Sequence, residues 1–176
     1  MAESGDGNEK EADRLSRDTL LPEPADGAPA PRPSPSNTGK YEVAATLGKG
    51  GMGEVLLVRD RDLGREVAMK VMKGALAGVE EHRARFVAEA QATSQLEHPG
   101  IPPVHDIGVT PEGSPFFTMK VVRGGTLRSV LDGLAAGKAE VEREYTLHRL
   151  VTVLERICET VHFSHEKGVI HRDLKP

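Results

Sequence analysis

The sequence predicts an α+β fold, a five-stranded antiparallel sheet with one inserted helix, followed by further helices. Three observations carry this. Apolar residues alternate at period two in three successive runs between Tyr41 and Val71, separated only by short turn signals. A helical repeat over residues 79 to 96 then precedes a hairpin pattern, and a long single-stripe helix runs from Tyr145 to Lys167.

In the first run Tyr41, Val43, Ala45 and Leu47 alternate with other residues. A glycine cluster follows at Gly48 to Gly53, and Val55 and Leu57 resume the alternation. Asp60-Arg61-Asp62-Leu63-Gly64 is a turn signal, after which Val67, Met69 and Val71 make a third strand. Short turns between consecutive strands dictate antiparallel pairing. In the inserted helix Phe86, Ala90, Thr93 and Leu96 recur at helical spacing, with Glu80, Glu81, Arg83 and Arg85 off that stripe. Pro99, Pro102 and Pro103 end it.

Val104 to Val109 and Pro115 to Val122 read as a hairpin about the turn Pro111-Glu112-Gly113-Ser114. Gly124-Gly125 breaks the second strand, and Thr126 is placed as the N-cap of a short helix to Leu134. The mixed charges of Glu140 to Arg143 suit a solvated helix start. In the long helix Leu147, Leu150, Val151, Leu154, Ile157, Cys158 and Val161 form one stripe, and Gly168 stands where a C-cap glycine belongs.

The length of 176 residues allows one domain, and with no Trp and few aromatics its core is expected to be aliphatic. A net charge of -4 gives no polyelectrolyte signal, which argues against a nucleic-acid partner. The single cysteine, Cys158, rules out an internal disulfide and suits a reducing, cytoplasmic compartment. Glu3, Asp6 and Glu9 open the chain where a signal peptide would be basic, and no apolar run is long enough for a membrane span. Any membrane anchor is therefore expected beyond residue 176. Residues 1 to 40 carry six prolines among small and charged residues, so they are expected to form a disordered tail before a domain at 41–176.

Three stretches carry chemistry. Gly48-Lys49-Gly50-Gly51-Met52-Gly53 contains the GxGxxG pattern. A dinucleotide fingerprint would open a helix, and a Walker A loop would need Ser or Thr after Gly-Lys. Here the glycines lie between strands, where the backbone amides of a hairpin tip can cover phosphates. A flexible β-turn would read the same way. Val67-Ala68-Met69-Lys70 places a lysine on the third strand, able to reach under that tip. A half-buried ammonium needs a partner, and Glu89, beside Phe86 and Ala90 on the inward helix face, is the candidate; two solvated side chains are the alternative.

In His171-Arg172-Asp173-Leu174-Lys175-Pro176, Asp173 suits orienting a substrate hydroxyl, and Lys175 suits neutralising charge on a transferred group. Cys158, His162 and His165 lie close on one helix but lack a fourth ligand, so no metal site is expected in the chain.

Taken in order, the glycine loop, Val67-Ala68-Met69-Lys70 and His171-Arg172-Asp173 resemble the signature set of protein kinases. The wording Gly50-Gly51-Met52-Gly53-Glu54-Val55, and Arg85-Phe86-Val87-Ala88-Glu89-Ala90 before Leu96-Glu97-His98-Pro99, resembles the bacterial Ser/Thr kinases that are similar to eukaryotic ones. The resemblance runs from Tyr41 to the end.

It implies a β-rich N-lobe at about 41–119, a hinge at 120–123 and the start of a helical C-lobe at 124–176. It also implies ATP with Mg²⁺ as cofactors. The nucleotide would be held by Leu47, Gly48, Gly50, Gly51 and Gly53, with Val55 and Ala68 lining the adenine pocket. Lys70 would hold the α- and β-phosphates and pair with Glu89, Met119 would be the gatekeeper, and Lys120 to Val122 the hinge. Asp173 would be the catalytic base. Lys175 gives the Ser/Thr-type wording, and Arg172 resembles the class switched on by activation-loop phosphorylation. The implied partners are proteins bearing Ser or Thr, with dimerisation or autophosphorylation in the full-length protein.

The family's metal-binding Asn, its DFG-type Asp and its activation loop do not occur in these residues, so metal ligands are expected beyond residue 176. The chain then reads as a truncated domain that binds nucleotide weakly and transfers no phosphate by itself. A non-catalytic nucleotide-binding or scaffold module is the alternative.

Overall fold

The computed structural model describes residues 39–171 and 173–176. The expected tail lies outside the described residues except for Gly39 and Lys40. Strands β1 (Tyr41–Lys49), β2 (Gly53–Asp60) and β3 (Arg65–Met72) form an antiparallel meander. Helices α1 (Gly74–Ala77) and α2 (Glu80–Ser94) follow, then β4 (Val104–Val109) and β5 (Pro115–Met119). The sheet has five strands in the order β1-β2-β3-β5-β4, and every pairing is antiparallel.

Register sorts the sheet into two faces. Val55, Lys70 and Phe117 stand opposite one another across β2, β3 and β5, as do Leu57, Ala68 and Met119. Helix α2 packs on this face, where Met72, Phe86, Ala90 and Phe117 form a buried cluster flanked by Leu76, Val104, Ile107 and Met119. On the other face Val58, Val67, Met69 and Phe116 are buried together, with Tyr41, Leu56 and Val71 against them.

The sheet is coiled enough to bring its two edge strands together. Tyr41, opening β1, donates its hydroxyl to Asp106 Oδ2 on β4 at 2.8 Å, and Lys40 Nζ lies 2.7 Å from the same oxygen. The Tyr41 ring meets Phe116 edge-on at 5.8 Å. Lys40, which composition assigns to the tail, is therefore tied into the fold. Burial pushes the Asp106 carboxyl upward, but the Lys40 ammonium and the Tyr41 hydroxyl outweigh it and hold it below the ordinary carboxylate range. Lys40 is raised in turn, chiefly by its hydrogen bond to Asp106.

The second hairpin strand ends at Met119, not at Val122 as its apolar run suggests. Its pairing with β3 stops at Ala68↔Met119, and Lys120 N donates to Pro103 O at 3.1 Å as the chain leaves the sheet. Beyond lie α3 (Leu127–Ala135), α4 (Ala139–Glu144) and α5 (Leu147–Glu166). Thr126 and Thr146 cap α3 and α5 by accepting from Ser129 N and Arg149 N. The Thr146 cap starts α5 two residues after the predicted Tyr145. Gly168 ends it with φ 74°, the left-handed cap its position implies.

Helix α5 meets the loop after α2 through the His98 and Phe163 rings, 5.1 Å apart. Its stripe is only partly covered among the described residues. Leu150, Ile157 and Val161 are half-buried, whereas Leu147, Val151, Leu154 and Cys158 are exposed.

Candidate active site

Phe86 and Ala90 anchor α2 in the core, and Glu89, one turn from Phe86, is thereby aimed at β3. Lys70 alternates with Ala68 and Met72 on the strand face that meets α2. The result is an ion pair with Lys70 Nζ 2.6 Å from Glu89 Oε1, the side chains 23% and 39% exposed. The ammonium also stands 5.7 Å from the Phe86 ring centre and 5.6 Å from that of Phe117. Such neighbours fix the position of the cation.

The glycine loop is the tip of the β1–β2 hairpin. Gly50 N donates to Gly53 O at 2.8 Å, and Lys73 N donates to Met52 O at 3.2 Å, tying the tip to the end of β3. Gly50, Gly51 and Met52 are exposed. The structure shows why residue 53 is glycine: a Cβ there would stand 2.2 Å from Val71 O. The close approach is thus to the neighbouring strand. Gly48 faces Val55 across the hairpin, Val55 is half-buried and Leu47 is exposed.

Ala68 is 3% exposed, and its Cα partner on β5 is Met119. Lys120 and Val122 lie in the exposed segment after β5. Arg123 Nη2 in that segment bonds Glu66 Oε2 on β3, a brace with no signal in the sequence. The Lys40–Tyr41–Asp106 cluster was equally silent, because it joins residues from opposite sheet edges.

Asp173 and Lys175 form a second pair, Oδ2 to Nζ at 2.9 Å, with both side chains more than half exposed. Asp173 N donates to His171 O at 2.9 Å. Arg172 lies outside the described residues. No hydrogen bond or ion pair joins Lys70–Glu89 to Asp173–Lys175 among the described residues. A cavity of ≈ 650 Å³ lies on the opposite sheet face, walled by Leu56, Met69, Val71 and Phe116, so it belongs to neither pair.

A paired lysine beneath a hairpin with exposed backbone suits a nucleotide's phosphates. For Mg²⁺ the fit is lacking, since no group of three or more His, Cys, Asp or Glu side chains gathers to hold a metal among the described residues.

Known proteins resemble this chain in sequence and in fold. Residues 41–176 match the family described as "Protein kinase domain". Serine/threonine-protein kinase PknD of Chlamydia trachomatis is 39% identical over 140 residues, which cover 78% of this chain and 15% of the relative. Serine/threonine-protein kinase PknB of Mycobacterium tuberculosis is 41% identical over 140 residues, covering 78% of this chain and 21% of the relative. The chain thus spans a small part of the curated relatives it matches. The crystal structure of the Mycobacterium tuberculosis PknI kinase domain superposes with a TM-score of 0.59 at 27% identity, covering 81% of this chain and 56% of that one. The chain belongs to the protein kinase domain family.

Proposed function

We propose that this domain serves ATP-dependent transfer of the γ-phosphate to Ser or Thr hydroxyls of proteins. The observation that carries the reading is the Lys70–Glu89 pair at 2.6 Å on the sheet face beside the glycine hairpin. A scaffold has no chemical need for Lys70, Glu89 and Asp173 together. In this reading Lys70 binds the α- and β-phosphates, and Glu89 keeps its ammonium from swinging away.

Gly48, Gly50, Gly51 and Gly53 bring backbone over the phosphates. Leu47, Val55, Ala68 and Met119 border the adenine, and Lys120 to Val122 offer it backbone hydrogen bonds. Asp173 accepts the hydrogen bond of the substrate hydroxyl as its oxygen attacks the γ-phosphorus. The bond to the β-phosphate oxygen breaks, ADP leaves, and the hydroxyl proton passes to Asp173. Lys175 leaves its ion pair with Asp173 to neutralise charge on the phosphoryl group.

Substrates are proteins presenting Ser or Thr, and a second copy qualifies in autophosphorylation. No helix among the described residues is long and apolar enough to cross a membrane.

The test is transfer of labelled γ-phosphate to a generic protein acceptor with Mg²⁺, measured on the whole protein. Transfer that falls by at least about 10²-fold in Asp173→Asn, with ATP affinity kept, supports the reading. ATP binding with no transfer by the unsubstituted protein would overturn it in favour of a nucleotide-binding module.

A further inference from the structure

The cavity on the sheet face away from Lys70 has no part in the reading above. Its walls are Val43, Leu56, Met69, Val71 and Phe116, with Tyr41 at its edge. Val43 is 61% exposed, so apolar sheet surface stands open to solvent there. The rim carries both signs, Lys49 and Lys73 against Glu54 and Glu112, so it favours neither a simple anion nor a simple cation.

The chain enters the fold at this place. Tyr41 opens β1, borders the cavity and is pinned by Asp106 and Phe116. Residues 1–38 precede this point in the sequence, so any apolar element they carry is held at high effective concentration around it. They contain one adjacent pair of large apolar residues, in Leu20-Leu21-Pro22, with Arg17-Asp18 before it and Glu23 after it. Those flanks also carry both signs, as the rim does. Residues 23–40 link this step to Tyr41. A flexible chain of that length spans about 20–25 Å, and its run of alternate prolines can lengthen the reach.

We propose that Leu20-Leu21-Pro22 of the same chain docks in this cavity, setting its leucines against Val43, Leu56, Met69 and Val71. The rest of the segment has too little apolar surface to pack, so the step acts as a single anchor. Lys49 and Glu54 stand at the feet of the glycine hairpin and on the cavity rim. An occupied cavity therefore braces that hairpin from the side away from Lys70. The docking does not depend on the kinase reading.

The test uses the full chain with Cys158→Ser and a nitroxide on Ala25→Cys, and reads methyl signals of Val43, Leu56, Met69 and Val71. The expected result is loss of most of their intensity, while Leu76 and Ile107 on the other face keep theirs. Adding Leu20→Ser and Leu21→Ser should restore the lost signals. In a mixture of isotope-labelled chains and nitroxide-bearing chains, the same methyls should stay sharp, since the contact is within one chain. Unaffected methyls, broadening spread evenly over both faces, broadening that survives the serine pair, or transfer between chains in the mixture would each overturn the proposal.

Discussion

Glu89 on α2 and Lys70 on β3 lock the helix to the sheet at 2.6 Å, and the same ammonium stands beside the touching rings of Phe86 and Phe117. The pair is partly exposed, so its value is positional: such pairs contribute roughly 0–1 kcal/mol to stability. Glu89→Gln should leave the denaturation midpoint almost unchanged. ATP affinity should fall roughly ten-fold or more, as when a charge-assisted hydrogen bond is lost. A calorimetric titration beside a urea melt measures both.

Phe86 is fully buried at the centre of the cluster under α2. Phe86→Ala should cost about 3–5 kcal/mol, a large share of a small domain's stability. The urea melt should shift strongly, and nucleotide binding should weaken as well, because Glu89 rides on the same helix.

The glycine loop offers an internal contrast. A Cβ at Gly53 would stand 2.2 Å from the Val71 carbonyl, whereas one at Gly51 meets nothing within 4 Å. Gly53→Ala should destabilise by roughly 1–3 kcal/mol as β2 and β3 are pushed apart. Gly51→Ala should stay within about 0.5 kcal/mol. Equal effects in thermal melts would contradict the close approach.

The Lys40–Tyr41–Asp106 cluster makes stability depend on pH. Asp106 is depressed from its ordinary 3.8. Its contribution is present above that value and lost as pH falls through the lower, folded-state pKa. Lys40 is raised from 10.5, so its contribution is complete below that value and lost as pH rises through the folded one. Asp106→Asn should flatten the acid limb of the stability profile and leave little effect of Lys40→Met added to it.

Local pattern made much of this legible. Period-two runs with short turns imposed the meander, and helical spacing of Phe86 and Ala90 pointed Glu89 at Lys70. Other features depend on what the chain meets in space. Lys-Val-Val after Met119 has strand composition, yet β5 has exhausted its pairing with β3 there. Helix α1, only Gly74–Ala77, has no side-chain cap at Lys73 to announce it. The Asp106 cluster needs the coil of the whole sheet, which no window of sequence contains. Periodicity likewise marks Leu147, Val151 and Leu154 as one stripe without saying what covers them.

The most direct test of the nucleotide reading is an ATP titration of this chain followed by NMR, with Lys70→Met alongside. The account predicts shifts at Gly50, Gly51, Val55, Ala68 and Met119, weak but saturable, and largely lost in Lys70→Met. Shifts confined to Leu56, Met69 and Val71 on the other face, or shifts indifferent to Lys70→Met, would contradict it.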